Sequence, residues 1–274
     1  MSQQIRFFDK SAIDLGNDAA SINVTDTTAT NNGQSFVDFM RNRNNSSSWM
    51  TTGSNDAANT TLVFQFGDVR DIKDIMIVGH NLAAYTLKYW DGISAYVDFA
   101  TPISVSGSTD FVTHHQVTEV STDSIQLVIT GAQVVDADKS IRQFIITNRV
   151  GTGQLDGWPV IKNATHSTNK KISSMLSGKV NVVESVGAFA CELTVTNWNI
   201  DDDLSIIEEI YFGKRGVLVW LSGGDEDQFS HKRVGYRLED IFLMRAVNDY
   251  QPDWAAGLYT SGIIMQLKLR EAIN

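Results

Sequence analysis

Cysteine is nearly absent from this chain of 274 residues, with one thiol, and proline is scarce, with three. A single thiol cannot close an internal disulfide, and thiolate zinc sites use several, so the fold is expected to rest on its apolar core. Clustered positive charge is missing as well: 22 Lys and Arg stand against 32 Asp and Glu, for a net charge of -10. The cations are scattered singly or in pairs and neither half of the chain is basic. Specific nucleic-acid recognition, which works through clustered Lys and Arg on phosphates, is therefore not expected. No apolar run approaches the roughly 20 residues of a membrane-spanning helix, and the opening residues Met1 to Lys10 lack the apolar segment of a secretion signal. The expectation is a soluble protein without a signal peptide or membrane insertion.

Short motifs with a known mechanism are also missing. There is no Gly-x-Ser-x-Gly, no His-Glu-x-x-His, no Gly-x-Gly-x-x-Gly and no phosphate loop, so neither catalytic residues nor a cofactor are expected. What the chain does have is 42% apolar residues with only 20% charged, enough for a sizeable core. That apolar content alternates with period two. Leu62, Phe64 and Phe66 share one face of Thr61 to Phe66, Ile75 and Ile77 one face of Ile72 to Val78, and Ile125, Leu127 and Ile129 another. Similar runs are Tyr85 to Trp90, Ile141 to Thr147, Lys179 to Val183, Phe189 to Trp198, Gly216 to Leu221, Val234 to Met244 and Gly262 to Leu269. Turn chemistry such as Asp91-Gly92, Gly107-Ser108 and Gly223-Gly224 separates them.

Helical signal is thin. Ser35 to Arg43 fits two turns with Phe36, Phe39 and Met40 inward, and Leu204 to Phe212 repeats Leu204, Ile207, Glu208 and Tyr211 behind the aspartates Asp201 to Asp203, which suit a helix N-terminus. Glycines and a polar stretch between Asn148 and Lys170 mark a boundary. The fold class is thus all-β: two β-sandwich domains, 1–150 and 170–274, joined by a linker at 151–169, the second carrying one short helix. The Ser, Thr and Asn-rich stretch from Asn42 to Thr61 reads as a long loop pinned by Trp49.

Several residues have two readings. Cys191 shares a strand face with Phe189, Leu193 and Val195, which favours core packing over a nucleophile. His114 and His115 are adjacent, and on a strand such neighbours point to opposite faces; surface polarity is favoured and no metal site is expected. Asp201 to Asp203 with Glu208 and Glu209 have the residue types of a glycosidase acid and base, but helix capping and a solvated face explain them better. Asp225, Glu226 and Asp227 read as an acidic turn, with a calcium site as the minority alternative. Trp49, Tyr89 and Trp90 fall near loops or strand ends, where an aromatic ring either packs or stacks on a sugar.

The order of these features in the first half resembles the discoidin, or coagulation-factor type C, group of galactose-binding-like jelly rolls. The resemblance is carried by Asn44 to Trp49, Leu62 to Gly67, Ile72 to Val78, Tyr89 to Gly92 and the closing run Ile141 to Ile146. The loops differ too much from that group for its sugar site to carry over; a carbohydrate-binding module or adhesin would use Trp49, His80, Asn81, Trp90 and Asp91 at one end of the first sandwich. The second half, through Phe212 to Leu221 and the strands running to Ala272, more faintly resembles phage distal tail and tail-tube-like proteins. That resemblance implies a structural virion component assembled in the host cytoplasm: a homo-oligomeric ring, by family a hexamer, docking other tail or baseplate proteins or host glycans through the outer sandwich. The alternative is a carbohydrate-binding module or adhesin.

Overall fold

A computed structural model describes residues 5–26, 34–42, 47–51, 59–154, 160–174, 180–195, 200–212, 216–221, 241–249 and 265–271. Expected strand or turn residues such as Asn44, Trp198, Asp225 to Asp227 and Val234 to Asp240 lie outside that set. The chain is all-β, as the alternation indicates, with strands β1 (Arg6–Phe8), β2 (Ser21–Asp26), β3 (Trp49–Met50), β4 (Thr60–Val78), β5 (Leu82–Trp90), β6 (Tyr96–Val105), β7 (Val112–Ala132), β8 (Ser140–Ile141) and β9 (Gln143–Thr147). They are followed by β10 (Arg149–Gln154), β11 (Val160–Ser174), β12 (Val180–Val195), helix α1 (Ile200–Phe212), β13 (Val217–Trp220), β14 (Ile241–Ala246) and β15 (Met265–Glu271). Two compact units result, one drawn from Phe8–Arg149 and the other from Met1–Phe7, Val150–Asp225 and Ile241–Ile273.

In the Phe8–Arg149 unit the sheet order is β2-β4-β7-β5-β6, with β9 also paired to β4. The first part of β4 pairs with β2 and with the Ser124 to Ile129 part of β7; its last part pairs with β9 and with the earlier part of β7. Alternation works where one face is covered: Leu62, Phe64 and Phe66 are buried while Val63 and Gln65 are not. From Asp74 to Val78 every residue is buried, because this stretch is flanked by β7 and β9 and covered on both faces.

The two parts of β4 face each other. The Phe64 ring stacks on Phe144 at 4.1 Å and 4°, and Phe144 is the ladder neighbour of Ile77. Thirteen residues of straight strand would separate Phe64 from Ile77 by about 43 Å. β4 therefore folds over, and the ladder with β7 shows where: Gln65 pairs with Ser124 and Arg70 with Thr122, so Phe66 to Val69 stand opposite Asp123 alone. Such an insertion bends a strand and re-aims its side chains. The resulting two-layer sandwich encloses one core that includes Trp49, Phe64, Phe66, Ile77, Tyr85, Leu127 and Phe144.

The other unit contains a seven-stranded sheet ordered β10-β1-β13-β14-β15-β12-β11. Phe189 and Phe242 stack at 4.3 Å although β15 lies between their strands; a flat sheet would hold them about 10 Å apart, so this one curls. Phe189, Cys191 and Leu193 are buried and alternate with half-buried Ala190, Glu192 and Thr194, which makes Cys191 a core residue.

Four local expectations are corrected. Residues 151–169, expected as a linker, fall largely into β10 and β11; two register shifts against β12, at Lys162/Thr165 and His166/Thr168, break the alternation that marks a strand. The residues before Phe8 leave the first unit, since β1 lies between β10 and β13. Gln34–Met40 is a 3₁₀ helix in which Met40 is buried while Phe36 stays exposed and stacks on Phe39 at 5.6 Å; its tighter winding changes which side chains share a face. In α1, among the residues whose burial is described, Ile206 and Ile210 join the expected Ile207 on the inward side and Glu208 is exposed.

The fold-over needs a glycine. Gly67 has φ +84°, and a Cβ there would stand 2.3 Å from the Ala19 Cβ. Gly67→Ala combines left-handed strain with overpacking, so a loss of about 2 to 4 kcal/mol is expected in urea unfolding. An unchanged midpoint would contradict the account.

Candidate functional site

The fold-over opens a cleft of about 510 Å³ on the sandwich. Gln65 and Gly67 supply its β4 wall, Asp123 and Ser124 the β7 wall, and Trp90 and Tyr96 the wall formed by the β5–β6 hairpin. Trp90 and Tyr96 are ladder partners across that hairpin, with rings 5.3 Å apart at 60°. The turn between them is built by Asp91, whose Oδ1 accepts from the backbone N–H of Ile93, Ser94 and Ala95 at 2.8, 2.8 and 3.1 Å. Those backbone donors hold the exposed Asp91 carboxyl below its ordinary range.

Two further bonds lock the aromatic pair to β7. Tyr96 Oη and Ser124 Oγ lie 2.8 Å apart, and the Thr122 hydroxyl donates to the Trp90 carbonyl at 2.9 Å. Gln65 Oε1 accepts from Ser21 Oγ at 2.9 Å, and the Gln65 amide nitrogen has no partner among the described residues. The Asp123 carboxylate, half-buried, likewise has no partner among the described residues. The cleft thus offers aromatic rings, one acidic acceptor and one amide donor, the group types that bind an apolar ring face while satisfying hydroxyls around its rim.

Of the five residues singled out in the sequence, the structure brings together only Trp90 and Asp91. Trp49 is fully buried and pairs with Ile141. His80 is fully buried; its Nε2 lies 2.6 Å from Thr113 Oγ1, and its Nδ1 accepts from the Leu82 N–H at 3.1 Å. Asn81 pins the loop before β8, donating to the Asp138 carbonyl at 2.7 Å and accepting from the Ser140 N–H at 2.8 Å. His80 and Asn81 precede β5 while Trp90 ends it, and that strand is about 27 Å long at ~3.3 Å per residue. The five cannot share one ligand. Gln65, Tyr96, Asp123 and Ser124 were missed; only Tyr96 left a signal, as the aromatic that mirrors Trp90 across the Asp91 to Ala95 turn.

The paired histidines do face opposite ways, but neither is surface decoration. His114 Nε2 lies 2.7 Å from Asp74 Oδ1, and Arg149 Nε donates to Asp74 Oδ2 at 2.9 Å. Burial pushes the Asp74 carboxyl up, but the hydrogen bonds and positive charge of His114 and Arg149 outweigh it, leaving the pKa lowered. His115 Nε2 meets the Tyr85 hydroxyl at 2.8 Å. Glu208 and Glu209 are exposed on α1. Among the described residues no group of three or more His, Cys, Asp or Glu could hold a metal ion, and no helix is long and apolar enough to cross a membrane.

No protein-family model matches the chain, and no curated protein matches it. Solved structures similar to part of it include chitosan-binding module 1 of a chitosanase/glucanase from Paenibacillus sp. IK-5, at 6% identity and TM-score 0.41, over 51% of this chain and 99% of that one. The family 32 carbohydrate-binding module of Streptococcus pneumoniae EndoD is similar at 12% identity and TM-score 0.41, over 51% and 100%. A family 32 module from Clostridium perfringens, in complex with GalNAc-β-1,3-galactose, is similar at 13% and 0.35, over 49% and 97%. At these values the likeness says nothing of what this chain binds.

The buried histidines generate a pH prediction. Burial lowers His80 to about 4, and burial together with the His114 charge lowers His115 to about 4, from 6.5 in the unfolded chain. Both are neutral in the fold, so the unfolded state takes up their protons first. Their contribution is complete above pH 6.5 and is lost as the pH falls toward 4, about 3 kcal/mol for the fully buried His80. Urea midpoints should fall across that window, and a flat profile would contradict the assignment.

Proposed function

We propose that the Phe8–Arg149 unit is a non-catalytic carbohydrate-binding module that holds a sugar in the Trp90–Tyr96 cleft. The observation that carries this reading is the pairing of locked aromatic rings with polar groups that have no partner among the described residues, Asp123 Oδ and the amide nitrogen of Gln65. A pyranose presents a C–H face and a rim of hydroxyls, which suits such a lining. The carbohydrate-binding modules to which the chain is similar direct the choice of probes. The virion-tail reading, with a hexameric ring and docking to other tail proteins, is supported by sequence resemblance alone. Among the described residues nothing in the seven-stranded sheet selects a ring.

Titration calorimetry with chitosan oligomers, galactose and GalNAc-terminated saccharides tests the proposal. At least one should bind, and Trp90→Ala should weaken it tenfold or more, about 1.4 kcal/mol, with the thermal midpoint retained. Trp90→Ala binding like the parent, or no saccharide bound at all, would overturn it.

A further inference from the structure

A second cleft of about 230 Å³ lies on the far side of the fold-over, between Lys10 and Arg70. Arg70 is three residues beyond Gly67, within about 10 Å of the first cleft along β4. Its guanidinium forms no ion pair among the described residues, and its Nε is buried without a hydrogen-bond partner. Lys10 also lines this cleft and extends over Gly16, where a Cβ would stand 2.7 Å from the ammonium, which has no partner among the described residues. A buried donor left unsatisfied is costly, so the Arg70 Nε on the wall of this cleft marks a place where an acceptor is missing.

The other walls define which anion. Asp9 and Asp71 line the same cleft. Asp9 Oδ1 accepts from the Lys10 N–H at 2.7 Å and Asp71 Oδ1 from Ser121 Oγ at 2.5 Å, leaving further oxygen lone pairs on each for a ligand. Two carboxylates disfavour a compact dianion such as sulfate, yet they accept well from hydroxyl groups. Buried Ile72 and Ile146 form an apolar floor. One planar carboxylate for the Arg70 fork, hydroxyls for Asp9 and Asp71, and an apolar ring face for the floor are combined in one class of compound.

We infer that the Lys10–Arg70 cleft binds a carboxylated sugar, a uronic acid. The cleft shares no residue with the Trp90–Tyr96 cleft, so this assignment stands or falls apart from the first.

NMR-detected titration with glucuronate, glucose and inorganic sulfate tests it on the full chain and on Arg70→Ala, Lys10→Gln and Trp90→Ala. Glucuronate should bind the parent and weaken tenfold or more in Arg70→Ala, with Trp90→Ala unaffected; glucose should leave the Lys10–Arg70 cleft unperturbed. Lys10→Gln gives the same reading should Arg70→Ala fail to fold. Absence of glucuronate binding, glucuronate bound equally by both cation variants, or sulfate bound at Arg70 as tightly as glucuronate would each overturn the inference. Loss of glucuronate binding only in Trp90→Ala would assign it to the first cleft and overturn it as well.

Discussion

The fold-over of β4 at Phe66 to Val69 is the constraint on which the sandwich unit depends. A strand of 19 residues would otherwise run well beyond the width of a small domain. Four residues standing against Asp123 let both β4 and β7 serve two layers, and the Phe64–Phe144 stack fastens those layers together. Aromatic pairs of this kind contribute about 0.5 to 1.5 kcal/mol beyond the area they bury. Both clefts are consequences of the same bend, because residues that leave the ladder expose side chains and backbone that a continuous sheet would cover.

Most of the buried polar groups described in this unit are paired, which is how a small core tolerates them. Asp74 is held by His114 and Arg149, Lys139 Nζ donates to Thr60 Oγ1 at 2.9 Å, and His80 and His115 meet Thr113 and Tyr85. These networks tie β4, β5 and β7 together from inside. Against that background the half-buried Asp123 carboxylate and the buried Arg70 Nε stand out, with no partner among the described residues.

Much of the fold was legible in the sequence because alternation survives wherever one face of a strand is covered. Leu62, Phe64 and Phe66, and Ile125, Leu127 and Ile129, are core residues as their spacing implies. The reading failed where that condition fails. β11 breaks its own period with two register shifts and so looked like a linker. The 3₁₀ winding of Gln34–Met40 turned Phe36 outward. The candidate site was legible only at Trp90 and Asp91, a local turn signature. Gln65 and Asp123 are 58 positions apart and carry no motif; the insertion in the β4–β7 ladder brings them together, and a single sequence does not display its ladder. Trp49 and His80 misled because an aromatic ring or an imidazole beside a polar loop has the same local appearance whether it faces solvent or the core.

The central claim is that the bend assembles Gln65, Trp90, Tyr96, Asp123 and Ser124 into one sugar site. Backbone and indole N–H chemical-shift mapping during titration with a bound saccharide tests it most directly, because the six tryptophans report separately. The account predicts shifts at the Trp90 indole and at the amides of Gln65, Asp123 and Ser124, with Trp49 silent. Shifts clustered at His80, Asn81 and Ser140, on the opposite end of β5, would contradict it.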